Sequence, residues 1–391
     1  MALLDKNSAI GVIGSGAMGS GIAQVAATAG HNVVIYDNNS AQLEKAESSL
    51  TSTLNKLVEK GKFSRETADQ IVTRITFAGK LDKFSSCKLV IEAIVENLEV
   101  KQNIFRELEM VVSEKAILAS NTSSLSITSI ASACKHVSRV MGIHFFNPAP
   151  LMPLVEIIPG IATDSALITQ ARTLIDSWGK STVLAKDTPG FIVNRIARSY
   201  YGESIRIYEE GLADFATIDW AMKKFGGFKM GPFELMDFIG NDVNYKVTET
   251  VWEQFFYEPR FKPSFTQKRL YEAKFFGKKS GRGYYDYSEG AVMPSPNEDN
   301  DLGKMIFERV LCMLLNEAAD SYYLGLATLD DIDTAMTKGV NYPKGLLKWC
   351  DEFGAKNAYN ILHTLFVEYG EDRYRPCVLL KRMAQNNTKF Y

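Results

Sequence analysis

The chain has 391 residues, 46% of them hydrophobic and 23% charged, with a formal net charge of −2. That length provides for two or three domains with cores of ordinary size, and the near-neutral balance offers nucleic acid or an anionic membrane no electrostatic purchase. Cys87, Cys134, Cys312, Cys350 and Cys377 are scattered, with no CxxC pair and no Cys/His cluster, so they read as reduced thiols in a cytoplasmic protein without a metal site.

Residues 9–30, AIGVIGSGAMGSGIAQVAATAG, carry no charge and are long enough to cross a bilayer. Six of them are glycine, however, and no basic head precedes them as in a signal peptide. The expectation is a buried strand, a glycine turn and a helix, with neither a membrane span nor a targeting segment. Within the stretch, Gly14, Gly16 and Gly19 stand at GxGxxG spacing, with Ala17 and Met18 between the last two. The first glycine allows the tight turn, the second lets the backbone approach a pyrophosphate, and the third packs helix on strand. The next apolar run, NVVIYD, ends in Asp37, 18 residues beyond Gly19. A carboxylate there accepts hydrogen bonds from an adenosine ribose and repels a 2′-phosphate, which selects NAD over NADP.

A polar helical stretch follows from Ser40 to Gly61. Lys56 and Lys60 lie one helical turn apart in it, a spacing that by itself suits a solvated helix face. The runs KLVIEAI, AILAS and RVMGIHF then continue an alternation of strands with helical periodicity, which implies a parallel sheet covered by helices on both faces. SNTSSLSI (120–127) follows one of these strands, where its hydroxyls could line a ligand site at the carboxyl edge of the sheet or cap the following helix.

The segment GIHFFNPAP holds His144, one of only four histidines. Its apolar setting suits a core histidine as well as an acid–base group. Glu156 follows 12 residues later in the apolar run PLVEIIPG. A carboxylate there needs a partner, and His144 or a lysine would serve. DTPGF (187–191) marks a boundary, with Asp and Pro opening a helix. Beyond it the pattern is helical to about residue 285, with Asn194 among Phe191, Ile192 and Ile196 as either a paired core amide or a ligand.

The remainder repeats the helical part. TIDWAMKKFGGFKMGPFELMDFIG (217–240) aligns with DIDTAMTKGVNYPKGLLKWCDEFG (331–354) at an offset of 114. Asp219, Ala221, Met222, Gly231, Asp237 and Gly240 match Asp333, Ala335, Met336, Gly345, Asp351 and Gly354. PRFKPSFTQKR and DRYRPCVLLKR extend the match at an offset of 113. The expected plan is an NAD-binding domain over 1–187, a helical domain over 188–290, and a second copy of it over 300–391. In fold-class terms this is an α/β Rossmann-type doubly wound sheet followed by two copies of an all-α domain.

As a set, GVIGSGAMGSGIAQ, VIEAIVENLEVK, ILASNTSSLSIT, GIHFFNPAPLMPLVEII, DTPGFIVNRI, MGPFELMDFIG and GKKSGRGYYDY resemble the L-3-hydroxyacyl-CoA dehydrogenase family, and among its members the short-chain 3-hydroxybutyryl-CoA dehydrogenases. The resemblance covers about residues 8–287. It implies reversible, NAD-dependent oxidation of an (S)-3-hydroxyacyl-CoA, with the substrate pinned between a Rossmann domain and a helical one. It casts His144 as the acid–base group and Glu156 as its orienting partner, with Ser123 and Asn194 holding the reacting oxygen and the thioester. Asp37, Glu96, Lys101, Asn147 and Lys279 would surround NAD, and Lys56 and Lys60 would meet the phosphates of coenzyme A. The second helical copy departs from the short members, which pair through that domain, and resembles the dehydrogenase part of multifunctional fatty-acid oxidation proteins. It implies a structural second copy and a monomeric chain. A dehydrogenase of a free hydroxy acid, as in lambda-crystallin-like relatives, is the alternative.

Overall fold

A computed structural model describes residues 4–391, which divide into two compact units, one ending at Thr188 and the other beginning at Pro189. The first holds β1 (Ala9–Ile13), α1 (Ala17–Thr28), β2 (Val33–Tyr36), α2 (Ser40–Glu59), α3 (Arg65–Thr73), β3 (Ile75–Ala78) and β4 (Cys87–Glu92). After these come α4 (Leu98–Val111), β5 (Ile117–Ser120), α5 (Ile127–Ala131), β6 (Val140–Phe145), β7 (Leu154–Pro159), α6 (Ser165–Ser177) and β8 (Ser181–Leu184). The strands form one eight-stranded sheet in the order β3-β2-β1-β4-β5-β6-β7-β8. Apolar runs such as Ile10, Val12, Leu89 and Ile91, all without exposed surface, are what a sheet covered on both faces requires.

The last two strands depart from the expected parallel run. β7 runs antiparallel to β6, and β8 is parallel to β7. The chain therefore turns back directly after β6 instead of crossing over through a helix. The short strands β3 and β8, four residues each, complete the two edges. Asp187 also behaves differently from expectation. It opens no helix of its own, since α7 (Val193–Ile196) starts six residues later. Its carboxylate instead accepts from the backbone N–H groups of Ile127 and Thr128 (3.0 and 2.8 Å) and from the Ser126 hydroxyl, capping α5.

The second unit is helical throughout. After α7 come α8 (Arg198–Glu209), α9 (Phe215–Gly226), α10 (Pro232–Ile239), α11 (Asn241–Gln254) and α12 (Phe265–Glu272). Then follow α13 (Asn300–Tyr323), α14 (Leu329–Gly339), α15 (Leu346–Phe353), α16 (Ala355–Tyr369) and α17 (Val378–Asn386). The residues shared by the two repeats have a common physical task. Asp219 accepts from Phe233 N and Glu234 N at 2.9 Å, capping α10 from a distance because Gly231 at its N-terminus has no side chain to do so. A Cβ at Gly231 would lie 2.3 Å from Asp219. Asp333 accepts from Leu347 N and Lys348 N at the start of α15 in the same way, against Gly345. Asp237 takes Tyr284 N and Tyr285 N, and Asp351 takes Phe390 N and Tyr391 N.

The copies meet through two buried ionic clusters that mirror one another. Arg195 pairs with Glu317 at 2.5 Å and Arg260 with the same glutamate at 3.0 Å. At matching repeat positions, Arg309 pairs with Glu203 at 2.6 Å, with Arg373 at 3.8 Å. Each copy's arginine thus meets the other copy's glutamate, the reciprocity that a two-fold axis imposes on an isologous interface. Both glutamates are fully buried. Burial opposes ionisation of Glu317, but Arg195 and Arg260 hold its carboxyl below the ordinary glutamate value.

Candidate active site

His144 on β6 and Glu156 on β7 are direct partners in the antiparallel register, so their side chains leave the same face of the sheet side by side. Nδ1 of His144 and Oε2 of Glu156 lie 2.7 Å apart, with the histidine 5% exposed and the glutamate fully buried. A buried carboxylate fixes the proton on Nδ1 and presents Nε2 as the basic nitrogen. His31 shows the contrasting case. Its Nδ1 meets the Ser8 carbonyl at 2.9 Å, its ring packs on Trp178, and burial lowers its pKa. It is a core histidine whose ring is bonded to a carbonyl and not to a carboxylate.

The loop after β5 is held against this pair. Asn121 accepts from Phe145 N at 2.7 Å, pinning the loop to the residue that follows His144. Glu96 gathers the rest: its carboxylate accepts from the Thr122 hydroxyl, from Ser123 N at 3.2 Å and from the Ser124 hydroxyl at 3.1 Å. Burial works against its charge, but Lys101 and these hydroxyls keep its pKa below the ordinary value. Lys101 is itself buried, bonded to Glu92 at 2.6 Å and 3.3 Å from Glu96. Glu96 and Lys101, two of the residues that the family resemblance places near NAD, are therefore engaged in shaping the Ser123 loop. Asn147 is exposed just beyond β6, where its bond to Pro148 is cis.

At the carboxyl ends of β1, β2 and β4 a cavity of about 550 Å³ opens, bordered by Gly14, Gly16, Asp37, Asn38, Gln42 and Ile94. Two of the three glycines are fixed by close backbone contacts. Gly14 has φ +97° and faces Ala93 O, and a Cβ on Gly19 would lie 1.8 Å from Gly14 O, so helix and turn touch there. A Cβ on Gly16 would meet nothing within 4 Å; the turn is open on the side from which a phosphate approaches. α1 begins at Ala17 and Met18 without a side-chain cap or an acidic residue in its first turn, so its N–H groups are available to an anion. Asp37 accepts from Ser15 N (2.8 Å) and Ser15 Oγ (2.9 Å) on one oxygen and from Asn39 N on the other. The carboxylate is held in place with lone pairs left for ribose hydroxyls. This donor and acceptor set fits a dinucleotide.

Lys56 and Lys60 are exposed at the end of α2 and form no ion pair among the described residues. In the second unit, Asn194 on α7 is half-buried, and Lys279 pairs with Asp242 at 2.6 Å.

A sequence profile described as the NAD-binding domain of 3-hydroxyacyl-CoA dehydrogenase matches residues 9–188. The profile of that family's C-terminal domain matches 190–287 and 305–389. The chain belongs to the 3-hydroxyacyl-CoA dehydrogenase family. It is accordingly an oxidoreductase whose cofactor is NAD. An Escherichia coli K12 protein named 3-hydroxyadipyl-CoA dehydrogenase is 37% identical across 96% of this chain and 97% of its own. Human mitochondrial hydroxyacyl-coenzyme A dehydrogenase is 44% identical over 71% of this chain and 90% of its own. Among solved structures, an E. coli 3-hydroxybutyryl-CoA dehydrogenase superposes with a TM-score of 0.92 at 36% identity, covering 98% of this chain and 99% of that one.

The dehydrogenase's cysteines take no part in these sites. All five are free and buried, and burial pushes the thiols of Cys87, Cys350 and Cys377 up to about 12. Among the described residues no cluster suits a metal ion, and no helix is long and apolar enough to cross a membrane. Sequence reasoning passed over two residues that shape the site, Asn121 and Glu92, and assigned Asp187 to the following helix instead of to α5. Asn121 stood in a stretch singled out for its hydroxyls, and Glu92 stood inside the predicted run KLVIEAI. A lone carboxylate inside an apolar strand is the signal that could have found Glu92.

Proposed function

We propose that the enzyme interconverts a short (S)-3-hydroxyacyl-CoA and its 3-oxo form, with His144 and Glu156 as the acid–base pair. The buried 2.7 Å contact between them carries the reading. Nε2 of His144 takes the proton of the 3-hydroxyl as the C–H bond at C3 breaks. The positive ring that results lies against Glu156, which stabilises it. In the reverse direction the protonated ring gives Nε2–H to the 3-oxo oxygen. NAD, when bound at the glycine turn with Asp37 on its ribose, supplies the hydride acceptor. Ser123 holds the reacting oxygen, Asn194 supplies an amide to the thioester region, and Lys56 and Lys60 meet coenzyme A phosphates. Holding both reactants at attack distance contributes more than any single group.

The second helical copy has a structural role in this reading, and the chain works as a monomer. Three observations support that. In repeat register Glu308 stands where the first copy has Asn194. The Lys279 loop has no counterpart, because Phe390 and Tyr391 reach Asp351 directly. The mirrored ionic clusters fill the place of a partner. A dimeric mass in gel filtration at micromolar concentration would defeat the monomer reading.

The activity is tested by NADH oxidation with acetoacetyl-CoA and with free acetoacetate, in the wild type and His144→Gln. Turnover of the thioester alone, lost in the variant, is the expected outcome. Turnover of the free acid would favour a hydroxy-acid dehydrogenase, and an active variant would remove His144 from the mechanism.

A further inference from the structure

Five arginines are buried among the described residues, and four of them face carboxylates: Arg139 meets Glu109, Arg195 meets Glu317, and Arg309 and Arg373 meet Glu203. The fifth, Arg198 at the start of α8, has none. Only 7% of it is exposed. Its Nε donates to the Asn194 carbonyl at 3.1 Å, and its Nη1 donates to Asn244 O at 3.3 Å and to Thr248 Oγ1 at 3.0 Å. Nη2 donates to nothing among the described residues. Burial lowers the guanidinium's pKa; the groups facing it are the neutral tyrosines Tyr201, whose ring lies 4.8 Å from Cζ, and Tyr342, with no acid. Two further buried donors nearby, Asn244 Nδ2 and the Tyr342 hydroxyl, also lack an acceptor. A buried cation beside surplus donors is costly unless an anion arrives.

The second copy is an internal control for whether the fold needs this polar set. In repeat register Arg198, Asn244, Thr248 and Gln267 become Cys312, Ala358, Leu362 and Leu380. All four replacements have no exposed surface. The same helices therefore pack with an apolar core where no catalysis is expected. In the first copy Gln267 donates to Asn244 Oδ1 at 2.9 Å, orienting that amide behind the arginine. The polar set belongs to the copy that carries Asn194, one helical turn before Arg198 and bonded to it.

We infer that Arg198, supported by Asn244 and Thr248, receives a carboxylate at the far end of the acyl chain, so that the enzyme prefers ω-carboxylated 3-hydroxyacyl-CoA substrates. The inference rests on the acyl-CoA reading above, with Asn194 near the thioester. One helical turn advances about 6 Å, which suits an acid group a few carbons beyond the reacting C3. A guanidinium with a free Nη2 is the right partner for a planar carboxylate.

The test compares (S)-3-hydroxyadipyl-CoA with (S)-3-hydroxyhexanoyl-CoA, which have equal chain length and differ only at the terminus. The wild type should show a kcat/KM at least about tenfold higher for the dicarboxylate, because a site built around buried polar groups rejects a ligand that leaves them unpaired. In Arg198→Met the ratio should fall to about one or below, with the change falling mainly on KM for the dicarboxylate. Arg198→Lys should retain part of the preference, and Asn244→Ala, which installs the second copy's residue, should lower it less than Arg198→Met does. A wild type that treats both substrates alike, or prefers the methyl terminus, overturns the inference and leaves the acyl-CoA reading standing, and it does so without any variant having to fold. A preference that survives in Arg198→Met also overturns it. If neither thioester is oxidised, the acyl-CoA reading itself falls and this inference with it.

Discussion

Replacing Glu156 by glutamine removes one charge from the proposed acid–base pair while preserving its volume and one acceptor oxygen. If His144 is the base, as proposed, its ring becomes cationic in the transition state, with Oε2 of Glu156 2.7 Å from Nδ1. Taking charge centres about 4 Å apart and an effective dielectric of about 20, the attraction is about 4 kcal/mol. A neutral amide oxygen still accepting from Nδ1 recovers about 1 kcal/mol of that. The difference, about 3 kcal/mol, corresponds to a loss of roughly 150-fold in kcat. Stopped-flow hydride transfer on the acyl-CoA thioester isolates the step, and NADH binding followed by fluorescence should be unchanged, since Asp37 and the glycine turn lie elsewhere on the sheet. Circular dichroism guards against a folding defect. If Glu156→Gln folded, bound NADH normally and kept kcat within threefold of the wild type, Glu156 would not be stabilising a charged ring, and the assignment of His144 as the base would lose its main support.

Other perturbations bear on other parts of the molecule. Arg309→Met strands the fully buried Glu203 with Tyr374 and a distant Arg373; stability should fall by roughly 3–5 kcal/mol, read as a drop of order 10 °C in Tm by calorimetry. Glu317 titrates below the ordinary glutamate value in the folded chain. Its contribution is therefore present above the unfolded pKa of about 4.3 and is lost as pH falls through the lower folded value. Glu317→Gln should unfold at lower urea above about pH 4 and show a flatter midpoint below it, so that the gap to the wild type narrows in acid; an equally steep acid decline would place the titrating group elsewhere. Asp37→Ser should raise KM for NADH by about an order of magnitude and narrow the gap to NADPH, measured by steady-state kinetics with both cofactors.

The parts of the fold legible in the sequence are those governed by short-range rules. Gly14, Gly16, Gly19 and Asp37 could be placed because a turn, a helix start and the end of the next strand fix their separation. The Asp219/Asp333 and Gly231/Gly345 identities could be aligned because a glycine too tight for a Cβ and the aspartate that caps across it must be kept together. What escaped is long-range. The direction of β7 leaves no trace in a two-residue period, so the facing register of His144 and Glu156 could be suspected from chemistry but not from a spacing of 12 residues. Asp187 sits in a boundary sequence that suits a helix start, and only tertiary contact sends its carboxylate back to α5. Arg198 went unnoticed because a missing counter-ion is a property of the packed interior and has no sequence pattern.

The exchange of arginines and glutamates between the two helical copies also has a thermodynamic consequence. Where two separate chains share such an interface, dilution weakens it, and the folded population depends on how much protein is present. Here the facing surfaces are tethered within one polypeptide, and their mutual concentration is set by the connecting segment before α13 instead of by the solution. The melting temperature should accordingly stay constant as the enzyme is diluted from micromolar to nanomolar. The ions that in a pair of subunits would report on encounter are in this chain contacts within one polypeptide.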